Sequence, residues 1–451
     1  RIVGFGVYVW NIAETTRIVA VLKTVAPPVV VVVGGPEVSH EVEAQPICAL
    51  ADYVVTGWGD ITFAVLARQL VRGSRPPVKV LAGAQPPLAE LALPCSEFSD
   101  ADLRRRHVYV EASRGCPFRC EFCLSALDRT AWPFPLDAVL RHLSGLYQRG
   151  ARDFRFVDRT FNLKTETSLA ILRFFLDRVE ADPARPPFAH FELIPDRLPD
   201  TLKEAIARFP PGTLQLEIGI QTFDARVQAL ISRHQDNAAA EDNLRWLRRH
   251  TNAHLHVDLI AGLPGEDVES FGRGFDRLVA LGPHEIQVGI LKRLRGAPIA
   301  RHVQAFGLRF NPQPPYNVLA TDRIDFPTMQ RLARFSRCWD LVGNSGRFAR
   351  SLPLLLGDSP FTNVLAFADA LHAAEGRMHA IGNERLYERL HAPLLARGIG
   401  EADAAQALAT DYVASGARGK LAFIDVEPLL RARRADAAPA VPRRQGRHLR
   451  A

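Results

Sequence analysis

The chain has 451 residues, enough for two or three domains with sizeable cores, and its 47% hydrophobic content excludes general disorder. The formal charge of +7 is gathered at one end: residues 431–451 hold seven Arg against one Asp, so the preceding chain is close to neutral. That distribution argues against a chain-wide basic surface for nucleic acid, and no apolar run approaches the ~18 residues of a membrane helix.

Residues 2–9 read as a buried strand and residues 14–25 have helical spacing. Residues 29–33 are an unbroken β-branched run, the mark of a strand covered on both faces, ending at Gly34-Gly35-Pro36. A second short strand, 51–56, ends at Gly57-Trp58-Gly59-Asp60, and a helix follows over 61–71. This is a doubly wound α/β pattern for residues 1–75. Because residue 1 is Arg and the first strand starts at once, a preceding segment is expected. No stretch reads as a secretory leader. Pro76, Pro77, Pro86, Pro87 and Pro94 mark residues 76–107 as a linker.

From 108 to 300 the alternation lengthens. Candidate strands lie at 108–112, 154–158, 188–193, 214–220, 254–260 and 284–290, with amphipathic stretches between; Leu136, Val139, Leu140, Leu143, Leu146 and Tyr147 form one apolar face. Six consecutive βα units predict a partial (β/α)6 barrel with an open side. Residues 301–430 read as a mainly helical cap, and 431–451 as a disordered basic tail.

Six cysteines occur. Cys48, Cys95 and Cys338 are scattered, while Cys116, Cys120 and Cys123 share eight residues. This is not a disulfide framework; it suits a reducing cytoplasm and one thiolate-ligated metal centre. The C-x3-C-x2-C spacing follows the first barrel strand, at the end where barrels place their chemistry. Three thiolates bind three irons of a [4Fe–4S] cluster and leave the fourth open, as a catalytic metal site requires. A zinc site would need a fourth ligand at short range, and His107 is the near candidate.

The cysteine loop, with Phe122 just before the last Cys, resembles the signature of the radical S-adenosylmethionine (SAM) superfamily over residues 108–300. The resemblance implies SAM chelating the open iron, reductive cleavage to a 5′-deoxyadenosyl radical, and an electron donor such as flavodoxin or ferredoxin. It also implies SAM-facing residues at the strand ends. Asp158 follows strand two; Glu217 and Gln221 lie in Glu217-Ile-Gly-Ile-Gln-Thr222; Gly262 lies in Asp258-Leu-Ile-Ala-Gly-Leu-Pro-Gly-Glu266. His254 and His256 read as barrel histidines satisfied by neighbours.

The N-terminal part resembles the cobalamin-binding domain fused to a large subgroup of these proteins. Gly34, Gly35, Pro36, Glu37 and Ser39 match one strand-end loop, and Gly57, Gly59 and Asp60 the next, although the family usually carries acidic residues where Trp58 stands. Tyr8, Trp10 and Asn11 sit at the same edge. The Asp-x-His-x-x-Gly motif that supplies a cobalt-ligating histidine is not visible. The C-terminal region resembles an uncharacterised extension that accompanies some of these proteins. Together the resemblances imply a cobalamin-dependent radical SAM enzyme that methylates an unactivated carbon of a small-molecule or peptide substrate. A non-methylating radical enzyme, or a cobalamin-binding sensor with a non-catalytic cluster, are the alternatives.

Overall fold

The computed structural model describes residues 1–433; the basic tail beyond residue 433 lies outside the described residues. The N-terminal sheet is parallel, with β1 (Ile2–Gly6), β2 (Val30–Gly34), β3 (Tyr53–Gly57) and β4 (Val80–Gly83) in that spatial order. Val31, Val33 and Val54 pack under the helix Ile12–Val25 on one face, and Val30, Val32 and Val55 pack with Leu66 on the other. Helices thus cover both faces, as the buried β-branched run requires. The strand order never reverses, however, so the reversal that defines a doubly wound sheet is absent among these four strands. β4 lies inside the segment that its flanking prolines mark as a linker. Pro77 and Pro86 bracket it, and its own residues complete the sheet beside β3.

The second sheet holds six parallel strands: β5 (Val108–Val110), β8 (Asp153–Phe156), β9 (Phe188–Leu193), β10 (Leu214–Gln221), β11 (His254–Ala261) and β12 (Glu285–Ile290). Their spatial order is β12-β11-β10-β9-β8-β5, so β5 and β12 are the terminal strands, unpaired with each other, and the barrel is open. A hairpin of β6 (Ser113–Gly115) and β7 (Ala131–Pro133) frames the cysteine loop after β5. Alternation sorts each strand: Phe154, Phe156 and Phe191 pack outward with Phe175 of the helix Thr165–Ala181, whereas Arg155, His190, Glu192, Glu217, His256 and Asp258 take the opposite parity.

A short hairpin, β13 (Arg309–Phe310) with β14 (Val318–Ala320), leads into the helical C-terminal region. The helices Phe326–Val342 and Pro360–Glu375 join the barrel helix Val268–Leu281 in a cluster of Phe271, Phe275, Phe335, Trp339 and Phe361. Cys338 is fully buried in this core. Asn344 also covers the β12 edge, accepting from Ile286 N–H (2.8 Å) and donating to its carbonyl (2.9 Å).

The N-terminal strand ends face the barrel. Glu37 is buried and accepts from Tyr316 Oη (2.7 Å) and Arg295 Nε (2.9 Å), while Arg293 Nη2 donates to Glu41 (2.6 Å). On the other side Arg114, in the hairpin, donates to Asp60 Oδ2 (2.9 Å) and lies 4.8 Å from the Trp58 ring centre. Trp58 Nε1 donates to Asp128 (3.2 Å). Trp58 is therefore a docking side chain for the cysteine hairpin. A cavity of about 540 Å³ opens between Asp60 and Ile61 on one side and Tyr109, Glu111, Arg114 and Val157 on the other.

Candidate active site

Four elements build a cavity at the carboxyl ends of the barrel strands. The loop after β5 supplies Cys116, Cys120, Phe122 and Cys123; β9 and β10 supply Glu192, Glu217 and Gln221; β11 supplies Asp258. Phe118, Arg159, Asp196, Arg233 and His234 complete the wall. Parallel strands carry these side chains to one end of the sheet although they are up to about 140 residues apart in sequence.

The three cysteines are free thiols facing one cavity, two buried and Cys123 half-buried. Burial pushes Cys116 up to about 11, and burial raises Cys120 too, opposed there by Arg233, whose Nη1 lies 3.5 Å from its sulfur. Thiols held this way are inert until a metal claims the proton's place. Among the described residues, no group of three or more His, Cys, Asp and Glu side chains converges on one ion position. A cubane cluster distributes its ligands over separate irons, so convergence on a point is not what it asks of these thiols. His107 stands at the opposite end of β5, with its Nδ1 on Asp153 (2.6 Å), and does not join them.

Glu217 is held by His190 Nε2 (3.0 Å); burial raises its carboxyl, but the hydrogen bond from His190 and the charges of His256, His190 and Arg159 outweigh it and hold the group low. Glu192 receives Arg159 Nη1 (2.7 Å), yet burial lifts it to about 7. Two carboxylates on neighbouring strands thus differ in readiness to hold a proton. Gln221 adopts a left-handed backbone (φ 70°) where the β10–β11 register slips, a strained conformation of the kind found at ligand sites.

Of the sequence-expected SAM contacts, Phe122, Glu217 and Gln221 share the cavity with the cysteines. Asp158 is buried behind it, accepting from Ala112 N–H (2.9 Å) and Ser113 Oγ (2.6 Å), so it staples the end of β8 to the start of the cysteine loop. Gly262 has φ 86°, and the close approach it permits is to Val318 and Met329, where an added Cβ would lie 2.6 and 3.0 Å away. His254 pairs with Glu285 (3.2 Å) and His256 lies 3.5 Å from Asp258, inside the barrel. Asp258 opens the quoted strand-five motif but was given no role of its own, and Arg159, Glu192 and Arg233 were not legible in advance. Only the Arg233-His-Gln235 triplet after a short helix offered a signal.

At the N-terminal strand ends, Gly35 has φ 114° and an added Cβ would meet the Val7 carbonyl at 2.6 Å. Pro36 starts a single helical turn and Gly34 ends β2. Ser39 Oγ donates to the Gly35 carbonyl (2.8 Å) and accepts from Gly57 N–H (2.9 Å), tying the two glycine loops together. Gly59 and Asp60 open the helix Gly59–Val71. Tyr8 and Trp10 are exposed and stack with 4.5 Å between ring centres; Asn11 closes the turn beneath them.

Residues 110–278 match the Radical SAM superfamily, and residues 304–425 match a protein family of unknown function, DUF4080. The match to the uncharacterised family thus follows the radical SAM match in the chain. It is 26% identical over 353 residues to the cobalamin-dependent radical SAM methyltransferase TokK of Streptomyces tokunonensis, covering 70% of this chain and 50% of that protein. It is similar in fold to the radical SAM methyltransferase TsrM of Kitasatospora setae, solved with tryptophan and a SAM analogue (TM-score 0.56, 17% identity, 72% of this chain and 69% of that one). It is also similar to OxsB, solved with aqua-cobalamin and SAM (TM-score 0.54, 13% identity, 91% and 75%). The chain spans about half or less of the curated relatives it matches. Radical SAM proteins use a [4Fe–4S] cluster and SAM, and TsrM has also been solved with cobalamin and the cluster bound. No helix among the described residues is long and apolar enough to cross a membrane.

Proposed function

We propose that this chain is a cobalamin-dependent radical SAM enzyme that transfers a methyl group to an unactivated carbon of a small-molecule or peptide substrate. The observation that carries the reading is the cavity itself. Three thiols, Phe122, Glu217 and Gln221 meet at the barrel mouth, and the glycine loops of the N-terminal sheet face that mouth. When bound, the cluster with SAM supplies a hydrogen-abstracting radical and cobalamin supplies the methyl group. The chain's own residues do the positioning. Cys116, Cys120 and Cys123 would take three irons, and Arg233 would offset negative charge beside Cys120. Glu217, held ionised by His190, would accept from ribose hydroxyls, and Gln221 would present an amide toward the same ligand.

Gly34, Gly35, Pro36, Glu37 and Ser39, with Gly57, Gly59 and Asp60, would frame one edge of the corrin, and Tyr8, Trp10 and Asn11 another. Glu37 acts from behind, since its carboxylate is spent on Arg295 and Tyr316. The substrate would lie between the cysteine cavity and the glycine loops, because both reactive groups must reach one carbon. A low-potential donor in a reducing cytoplasm would supply electrons.

The test is anaerobic reconstitution with iron, sulfide and hydroxocobalamin, then SAM, dithionite and candidate metabolites or peptides. The expected products are 5′-deoxyadenosine, S-adenosylhomocysteine and a substrate heavier by one CH2. 5′-Deoxyadenosine with no mass gain would replace methylation by rearrangement, cyclisation or oxidation; no 5′-deoxyadenosine at all would overturn the enzyme reading in favour of a sensor.

A further inference from the structure

Between Cys120 and Cys123 the chain places Glu121, a carboxylate only 3% exposed. Its backbone N–H donates to the Ile231 carbonyl (3.0 Å), and its own carbonyl accepts from Ile299 N–H (2.8 Å). The side chain is gripped on both oxygens. Oε1 accepts from Ser232 Oγ (2.5 Å) and from Arg301 Nη2; Oε2 faces His302 Nε2 at 2.8 Å. Because an ionised carboxylate only accepts, a bond from His302 to Glu121 requires the proton on Nε2, an atom that also lies 3.4 Å from Arg301 Nε. Ser232 holds a left-handed backbone (φ 53°) to reach this place, and its neighbour Arg233 touches the Cys120 sulfur. Residues 298–302 belong to neither the matched barrel segment nor the matched C-terminal region; they join the two.

We propose that Glu121 and His302 are positioning residues for the cluster: they fix the cysteine loop in the geometry that holds iron, and they make the segment leading into the C-terminal region part of the cluster-holding machinery. This rests on the radical SAM reading above. The physical ground is that residues ordering a metal's ligands govern the site nearly as strongly as the ligands themselves. A buried carboxylate that loses its donors no longer has reason to stay where it is. Arg301, whose side chain is 62% exposed, contributes less than the buried His302 and Ser232.

The experiment compares the reconstituted parent with Glu121→Gln, His302→Leu and His302→Gln. Three quantities are read: iron per chain, the rate of iron loss to a chelator under anaerobic conditions, and the electron paramagnetic resonance line shape of the reduced cluster with and without SAM. Glu121→Gln and His302→Leu should lose iron about 10- to 100-fold faster and show an altered response to SAM. His302→Gln, which keeps an N–H donor, should stay close to the parent. Thermal unfolding of the iron-free chains separates loop geometry from general packing. If Glu121→Gln and His302→Leu lose iron at the parent's rate with its line shape, the clamp is overturned. It is equally overturned if both His302 variants lose iron alike and melt alike below the parent. A parent that binds no iron would overturn the radical SAM reading and the clamp with it.

Discussion

The cysteine loop and the glycine loops of the N-terminal sheet face one another, yet they are built on opposite plans. The cysteine loop turns its reactive atoms inward to one cavity and is held from outside by Asp158, Asp60, Ser232 and His302. The glycine loops present mostly backbone, and their charged side chains, Glu37 and Asp60, reach across to the barrel. The first plan gives a site complete within one domain. The second gives a surface whose use depends on how the two units are docked. Metal ligation needs fixed directional donors, whereas a broad planar ring needs clearance and backbone contact.

The largest effect should come from the cysteines. Changing Cys116, Cys120 or Cys123 to Ala should abolish a centre of about four irons per chain, while changing Cys48, Cys95 or Cys338 should not. Iron and sulfide assay decides this, and an essential role for any of the scattered three would break the assignment. Gly35→Val should separate the two plans. Its Cβ would collide with the Val7 carbonyl, so cobalamin retained through gel filtration should fall while barrel iron is unchanged. Loss of iron as well would show that the loops are not independent.

What the sequence made legible follows the same division. All six barrel strands fall within about two residues of their expected places, because period-two alternation and helix spacing are local signals. The cysteine triplet was legible for the same reason: its ligands lie within eight residues. β4 was hidden because prolines flank it so closely that the segment reads as a loop. Arg159, Glu192, Arg233 and Asp258 meet only through the topology, and no local spacing announces a contact between separate strands. The partners of Glu121, 111 and 181 residues away, were invisible on the same ground.

Docking of the two units should respond more moderately. Arg295→Ala leaves the buried Glu37 with Tyr316 alone, and removing one partner of a buried pair costs about 3 kcal/mol. Unfolding followed by calorimetry should then split into two transitions, the N-terminal unit melting first. A single transition with the parent's midpoint would mean that the Trp58–Arg114 contact suffices to join the units.

The smallest effect is a matter of pH, and it tests whether the cavity is built for its ligand rather than for stability. Burial lifts Glu192 from an ordinary carboxylate to about 7, with Arg159 opposing and Glu217 and Asp258 adding to the rise. The folded chain therefore holds this proton more tightly than the unfolded chain. Its contribution to stability is fully present below the unfolded value near 4.5 and is lost as pH rises through about 7. Glu192→Gln removes that titration. In the ligand-free chain the variant should gain on the parent between pH 5 and pH 8, by on the order of 1–2 kcal/mol, or a few degrees in melting temperature. Parallel stability curves for the two proteins over this range would mean that Arg159 keeps Glu192 ionised throughout. The carboxylate would then be an ordinary member of an ion pair, and the cavity would carry one fewer group able to exchange a proton near neutrality.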